Sequence, residues 1–235
     1  MIPAFLSYSH KDRHLAGAIK INLDYYGFDT FLAHEDLQPS TEWQEVILLK
    51  LRGCSVFLPL LTDSFATSDW TDQEIGVAVA LRKIIVPMKL ALDPYGFIGR
   101  YQAQSFAGAA DGTSTHPPVI EEACWNIVKT LASHKKIALE IRDGVIAAFG
   151  RTRSFDGAGK LARRMQSLEP FSNEQLNEIL RVSTANDQIS HGFDARSIVN
   201  DLIRRSAKRV DRSLVRQFVK AQEWDGARGA IGLGD

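Results

Sequence analysis

Short apolar runs alternate with helical patterns through the first half of the chain. The apolar runs predict buried parallel strands at residues 4–8, 28–32, 55–61 and 84–86, with a short fifth strand near 104–106. Between these runs, apolar residues recur at i, i+3 and i+4, which predicts helices after Asp12, over 42–52, between 67 and 83, and from Pro117. Because strand and helix alternate repeatedly, the pattern predicts an α/β fold with a flavodoxin-like, three-layer parallel sheet.

Several predicted helix ends carry residues that start or stop helices. Asp12 is expected to cap the first helix, and Gly27 is expected to end it in the left-handed conformation that glycine tolerates. Two pairs match the capping box that opens a helix, namely Thr41 with Gln44 and Ser172 with Gln175.

Residues 136–235 show helical patterns only. Helices are predicted at 137–149, 160–168, 172–183 and 195–222, with a break containing Gly and Arg at 151–159. We therefore expect two domains, an α/β domain at 1–133 and an all-helical C-terminal domain at 136–235. The sequence does not indicate a role for the second one.

The composition suits a globular protein of one or two domains, because 45% of the 235 residues are apolar and 28 basic side chains balance 28 acidic ones. No apolar run approaches the roughly 20 residues that span a bilayer, and the N-terminus lacks the layout of a signal peptide. We therefore expect a cytoplasmic protein without a membrane partner. Cys54 and Cys124 stand apart among apolar residues, which favours buried, reduced thiols.

Candidate chemistry gathers where the predicted strands end, because the ligand cleft of an open parallel sheet lies beyond the carboxyl ends of its strands. Residues 9–11, 34–43 and 62–64 meet there with the start of the helix that carries Glu74. A carboxylate near a helix N-terminus is favoured in its charged form, so Glu74 is expected to be ionised at neutral pH. Thr71 and Glu74 also match a capping box, and spacing alone favours that structural role.

Three separated blocks of residues resemble the Toll/interleukin-receptor (TIR) domain: residues 4–12, the long loop after Leu32, and Asp69-Trp70-x-x-x-Glu74 followed by residues 84–88. The resemblance covers roughly residues 1–133. Family members with Trp-x-x-x-Glu at this helix are similar to enzymes that cleave nicotinamide from NAD, including bacterial antiphage defence proteins. Members that act only as adaptors generally lack this glutamate.

The resemblance implies an NAD glycohydrolase, with hydrolysis to ADP-ribose and formation of a cyclic ADP-ribose isomer both open as outcomes. Glu74 would be the catalytic residue, NAD would be a substrate and no further cofactor would be needed. The residues implied in substrate binding are Tyr8, Ser9, His10, Asp36, Trp43 and Trp70. The resemblance also implies self-association through the TIR domain, with the loop at 33–43 closing over substrate or contacting a neighbouring copy.

Other functions are weighed against this one. A non-enzymatic interaction module is the main alternative, and a nucleoside deoxyribosyltransferase, which shares the sheet and a key carboxylate, is a weaker one. His10 and His14 have helical spacing but no third ligand, so a metal site is not expected. The basic residues between Arg204 and Arg216 are interrupted by acidic and apolar ones, which favours a solvated amphipathic helix over a nucleic-acid surface.

Overall fold

The computed structural model describes residues 1–33, 43–106 and 117–223. The chain folds as two compact units, Met1–Ile137 and Ala138–Asp235. Each unit has its own buried core. The predicted domain limits at 133 and 136 stay predictions.

A parallel sheet of six strands forms the centre of the first unit. The strands are β1 (Ile2–Ser7), β2 (Phe28–Leu32), β3 (Val56–Leu61), β4 (Ile84–Ile85), β5 (Met88–Lys89) and β6 (Gln104–Ser105). Their order is β2-β1-β3-β5-β6, and β4 also pairs with β3. The apolar run expected as one strand at 84–86 forms β4, and Val86 and Pro87 separate it from β5. The expected fifth strand near 104–106 is confirmed as β6.

Four helices of the first unit pack on this sheet: α1 (Arg13–Tyr25), α2 (Trp43–Gly53), α3 (Asp69–Ala80) and α4 (Pro117–Ala132). Helix α1 packs with α4, whereas α2 packs with α3. The two pairs cover the sheet as helical layers, so the predicted three-layer α/β fold is confirmed.

The core under α2 and α3 is built on aromatic residues that the strand register brings side by side. Phe5 of β1 lies opposite Phe31 of β2 and Phe57 of β3. The ring centroids of Phe5 lie 5.4 Å from Phe31 and 5.7 Å from Phe57. Ile47 and Ile75 complete this core from the two helices. Because β1 and β3 pair in parallel, their carboxyl ends lie at the same edge of the sheet, and the packed rings hold them there.

The ends of α1 match one prediction and correct another. Gly27 has φ +97° directly after the helix, in the left-handed region expected of a glycine there. Asp12 occupies the N-cap position but makes no side-chain cap. Its carboxylate instead accepts a hydrogen bond of 2.7 Å from the Thr62 hydroxyl. Thr62, which follows β3, has thus taken the place of a backbone amide of α1 as the donor to Asp12. The bond joins the loop after β1 to the loop after β3.

The second unit is helical throughout the part that the structure describes. Its helices are α5 (Ala138–Gly150), α6 (Phe155–Gln166), α7 (Asn173–Ala185), α8 (Asp187–Ser190), α9 (Phe193–Arg205) and α10 (Arg212–Ala221). The capping box of Ser172 and Gln175 is confirmed at the start of α7. No helix among the described residues has the length and apolarity needed to cross a bilayer.

Two predicted helices of the second unit have the wrong limits. Helix α6 begins at Phe155, within the expected break, because the Ser154 side chain accepts a hydrogen bond from the Gly157 amide. The single helix expected over 195–222 is two helices, α9 and α10. The second one starts anew because Asp211 caps it through the Ser213 amide. Apolar spacing runs through both helices, so the pattern does not reveal the break.

Candidate active site

Glu74 meets the end of β1 at the carboxyl edge of the sheet. It lies in the second turn of α3, which begins at Asp69. The hydroxyl of Ser7, the last residue of β1, donates a hydrogen bond of 2.5 Å to Glu74 Oε2 across 67 positions of sequence. The sheet therefore places a serine donor against the carboxylate that the sequence singled out.

The Glu74 carboxylate is buried and only half satisfied. The residue is 2% exposed, and Oε1 has no hydrogen-bond partner among the described residues. Within the same part of the chain, no lysine, arginine or histidine forms an ion pair with it. Buried carboxylates are normally paired, so a buried carboxylate oxygen without a partner beside the end of β1 is a feature of functional sites.

Burial raises the pKa of Glu74 to about 7, and the hydrogen bond from Ser7 opposes that rise. The expectation of a fully ionised Glu74 at neutral pH is therefore wrong. Removal from water disfavours the charged form by more than the roughly 0.3–1 kcal/mol that a helix N-terminus contributes. Near pH 7 both protonation states are populated.

The capping-box interpretation of Glu74 does not match the structure. The N-cap of α3 is Ser68, so Thr71 is the third helical residue and Glu74 lies one turn beyond the capping position. The Thr71 hydroxyl donates to the carbonyls of Phe65 and Ser68, each at 2.8 Å. Glu74 is bonded to Ser7 instead. The helix is thus started without help from the Glu74 carboxylate.

A cavity of about 200 Å³ lies between α2 and α3, and Glu74 is one of its lining residues. The wall from α2 includes Gln44, Ile47 and Leu51, and the wall from α3 includes Trp70, Gln73 and Glu74. Trp43 contacts Trp70 edge to face, with ring centroids 4.0 Å apart. The cavity thus combines one carboxylate, two amide side chains and an aromatic wall.

The other residues predicted for substrate binding have different positions. Tyr8 is fully buried and Ser9 is nearly so, whereas His10 is exposed in the short 3-10 helix His10–Asp12. None of these three lines the Glu74 cavity. Asp36 lies outside the described residues. Their predicted roles in substrate binding stay predictions.

Ser7 is the site residue that sequence reasoning missed. It is a fully buried polar residue at the end of an otherwise apolar strand. A polar residue at the end of an apolar strand is visible in the sequence. Its pairing with Glu74 is not, because the two residues are 67 positions apart. Among the described residues, no group of three or more His, Cys, Asp or Glu side chains is placed to hold a metal ion.

The match to a family model supports the resemblance to the TIR domain. Residues 4–115 match the family model described as TIR domain, which is just under half of the chain. Among solved structures, the chain is similar to the TIR domain of the Toll-related receptor TRR-2 from the lower metazoan Hydra magnipapillata. The identity is 13%, the TM-score is 0.43, and the match covers 54% of this chain and 98% of that one. No curated protein matches the sequence.

Proposed function

Because residues 4–115 match the TIR family model, we propose that this chain cleaves the nicotinamide–ribosyl bond of NAD, with Glu74 as the catalytic carboxylate. The observation that carries the proposal is the buried Glu74 carboxylate, one oxygen of which has no hydrogen-bond partner among the described residues. A shift of its pKa from 4.5 to about 7 corresponds to a cost of about 3 kcal/mol above pH 7. A protein that only recruits partners gains nothing from that cost.

The chemistry needs one carboxylate. The bond between the anomeric carbon and the ring nitrogen breaks with its electron pair going to nitrogen, so the cationic ring leaves as neutral nicotinamide. The ribosyl group becomes oxocarbenium-like, and a nearby carboxylate stabilises that charge or holds the ribose hydroxyls. Water then adds to the anomeric carbon, giving ADP-ribose and a proton. If a nitrogen of the adenine adds instead, the product is a cyclic isomer.

In this scheme Ser7 positions the carboxylate of Glu74, and Glu74 contacts the substrate. The Ser7 hydroxyl occupies Oε2, which leaves Oε1 for the substrate. A cation close to a carboxylate lowers the pKa of that carboxylate. The positive nicotinamide ring therefore favours the ionised form of Glu74 in the complex, where that form is needed.

The size of the cavity indicates which part of NAD it holds. Its volume of about 200 Å³ is below the roughly 300–1,000 Å³ typical of sites that enclose a drug-sized ligand. The nicotinamide and its ribose fit this space better than the whole dinucleotide does. Trp70 on the wall offers a flat apolar surface to the nicotinamide ring.

The test is NAD consumption by the purified full chain at rising protein concentration, with products separated by chromatography. Glu74→Gln keeps the shape of the side chain and removes its charge, and we expect it to lower the rate by about a hundredfold or more. Glu45→Gln, on the exposed face of α2, is the matched control and should retain the rate. An active Glu74→Gln variant would refute the proposal.

The competing function is a non-enzymatic TIR interaction module. TIR domains generally self-associate, and α2 presents Leu49 with 67% of its surface exposed. Leu49→Glu is expected to weaken self-association, measured by analytical ultracentrifugation. If that substitution abolishes association and neither the parent chain nor Glu74→Gln consumes NAD at any concentration, the interaction module is the better assignment.

A further inference from the structure

A second cleft of the first unit lies at the opposite end of α3 from Glu74. Its volume is about 440 Å³, and its lining includes Arg82, which follows α3, and Ile84, which starts β4. Arg82 lies eight positions after Glu74, which corresponds to about 12 Å along the axis of α3. The cleft shares no lining residue with the cavity at Glu74.

The lining of this cleft is basic. Among its described lining residues no side chain is acidic, and five are cationic or can become so: Arg82, Lys83, Arg100, His134 and Lys136. Apolar residues and the Tyr101 ring form the remaining wall. A concave surface with basic groups of one sign and a partly apolar wall attracts an organic anion.

One of the cations is already engaged. Lys83 Nζ donates to the carbonyls of Arg52 and Cys54, at 2.6 and 2.7 Å. By contrast, the side chains of Arg82 and Lys136 make no hydrogen bond or ion pair among the described residues. Arg100 lies over the Tyr101 ring, 5.1 Å from its centroid, and donates to the Tyr101 hydroxyl at 3.2 Å. That contact orients the guanidinium without neutralising it.

The backbone of Arg82 points independently to a use for its side chain. Its φ is +53°, the left-handed conformation that normally carries glycine after a helix. Holding a residue with a Cβ there costs of order 1 kcal/mol. Such strain persists where the side chain is needed, and Arg82 projects from the loop that lines the cleft.

A purely structural explanation covers only part of this set. Basic residues often follow helix C-termini, where they complement the helix dipole, and Arg82 and His134 follow α3 and α4. Arg100 does not fit that explanation, because the element before it is a 3-10 helix of only three residues, Gly96–Ile98. Its guanidinium joins the cleft from a separate segment.

From this juxtaposition we propose that the cleft binds a nucleoside diphosphate, with the two phosphates on Arg82, Arg100 and Lys136. Two arginines suit phosphate oxygens, since guanidinium groups donate paired hydrogen bonds. His134 Nδ1 accepts from the Lys136 amide at 3.4 Å, which leaves Nε2 as the donor of the neutral ring. The volume exceeds what inorganic phosphate needs, and the apolar wall suits a nucleoside. The proposal does not depend on NAD cleavage.

The test is calorimetric titration of the full chain with ADP. Arg100→Gln and Lys136→Gln are each expected to weaken ADP binding about tenfold, the effect of losing one charge-assisted contact. Lys129→Gln, on α4 but outside the lining, is the matched control and should bind ADP as the parent does. Trp70→Ala should also retain binding, which separates this cleft from the cavity at Glu74. ADP binding that survives both cleft substitutions, or falls with Trp70→Ala alone, overturns the proposal.

Arg82→Gly gives a second variant that keeps the fold. Glycine adopts φ +53° without strain, so thermal unfolding should change little while ADP affinity drops. Loss of stability with unchanged ADP affinity would assign Arg82 to the helix end instead. Adenosine and inorganic pyrophosphate serve as partial ligands. Both should bind more weakly than ADP, and pyrophosphate binding equal to that of ADP would refute the nucleotide class.

Discussion

Replacing Glu74 with glutamine should stabilise the protein, and only at the pH values where the carboxylate is forced to ionise. The pKa of Glu74 is raised from 4.5 to about 7 by burial. Between these two values the folded chain holds a proton that the unfolded chain has released. The stability linked to that proton is present below pH 4.5 and is lost as the pH rises through about 7.

The expected size follows from the same two values. One pKa unit corresponds to 1.36 kcal/mol, so the parent chain should be less stable than Glu74→Gln by about 3 kcal/mol at about pH 8 and by about 1 kcal/mol at about pH 5. The glutamine oxygen still accepts from the Ser7 hydroxyl, so the hydrogen bond is kept. A capping carboxylate would behave in the opposite way, since its loss costs about 1 kcal/mol.

The assay is urea unfolding at both pH values, followed by tryptophan fluorescence, which reports on Trp43, Trp70 and Trp125 in the first unit. Glu45→Gln controls for removal of a surface charge. Because each comparison is between two full chains, contributions from the second unit cancel. A difference that is equal at the two pH values, or a parent chain that is the more stable one at about pH 8, would refute the assignment of a buried carboxylate with a raised pKa.

Three further outcomes follow from the same site and its surroundings. The proposed mechanism needs the ionised form of Glu74, so kcat/KM for NAD should rise with pH to a plateau above about 7. A flat profile between about pH 5 and about pH 9 would contradict this role. Ser7→Ala removes the hydrogen bond that opposes the rise in the pKa, so the midpoint of that profile should move to higher pH, whereas Ser7→Thr keeps a donor and should move it less. Burial raises the pKa of the Cys54 thiol to about 11, so alkylation of Cys54 in the native protein should be slow and should become fast in urea, as judged by mass spectrometry of its peptide. Rapid native alkylation would show that this segment opens readily.

Much of the fold was predictable because its signals are local. A strand repeats every two residues or is continuously apolar when buried on both faces, and a helix repeats every 3.6. The alternation of those signals predicted the three-layer parallel sheet, and single residues predicted the glycine end of α1 and the capping box of α7. The resemblance to the TIR family, whose model matches residues 4–115, was recognisable for the same reason, since its motifs lie in short blocks.

One prediction failed because of a partner distant in sequence, and another failed because a local cap starts a new helix. Asp12 has the right identity and position to cap α1, but Thr62 from the end of β3 takes its carboxylate. The predicted helix over 195–222 is broken between α9 and α10, although its apolar spacing is continuous. Local propensity is worth about 1 kcal/mol or less at such positions, so tertiary contacts of similar size decide the outcome.

The sequence by itself determined the alternation of strands and helices in the first unit, that the strands are parallel, and that Glu74 stands near the start of a helix. Only the tertiary structure decided the chemical state of that glutamate. Folding the sheet brought Ser7 to one carboxylate oxygen, left the other without a partner among the described residues, and removed both from water. The physical reason is that periodicity is written along the chain, whereas desolvation is set by everything that surrounds a group once the chain has folded.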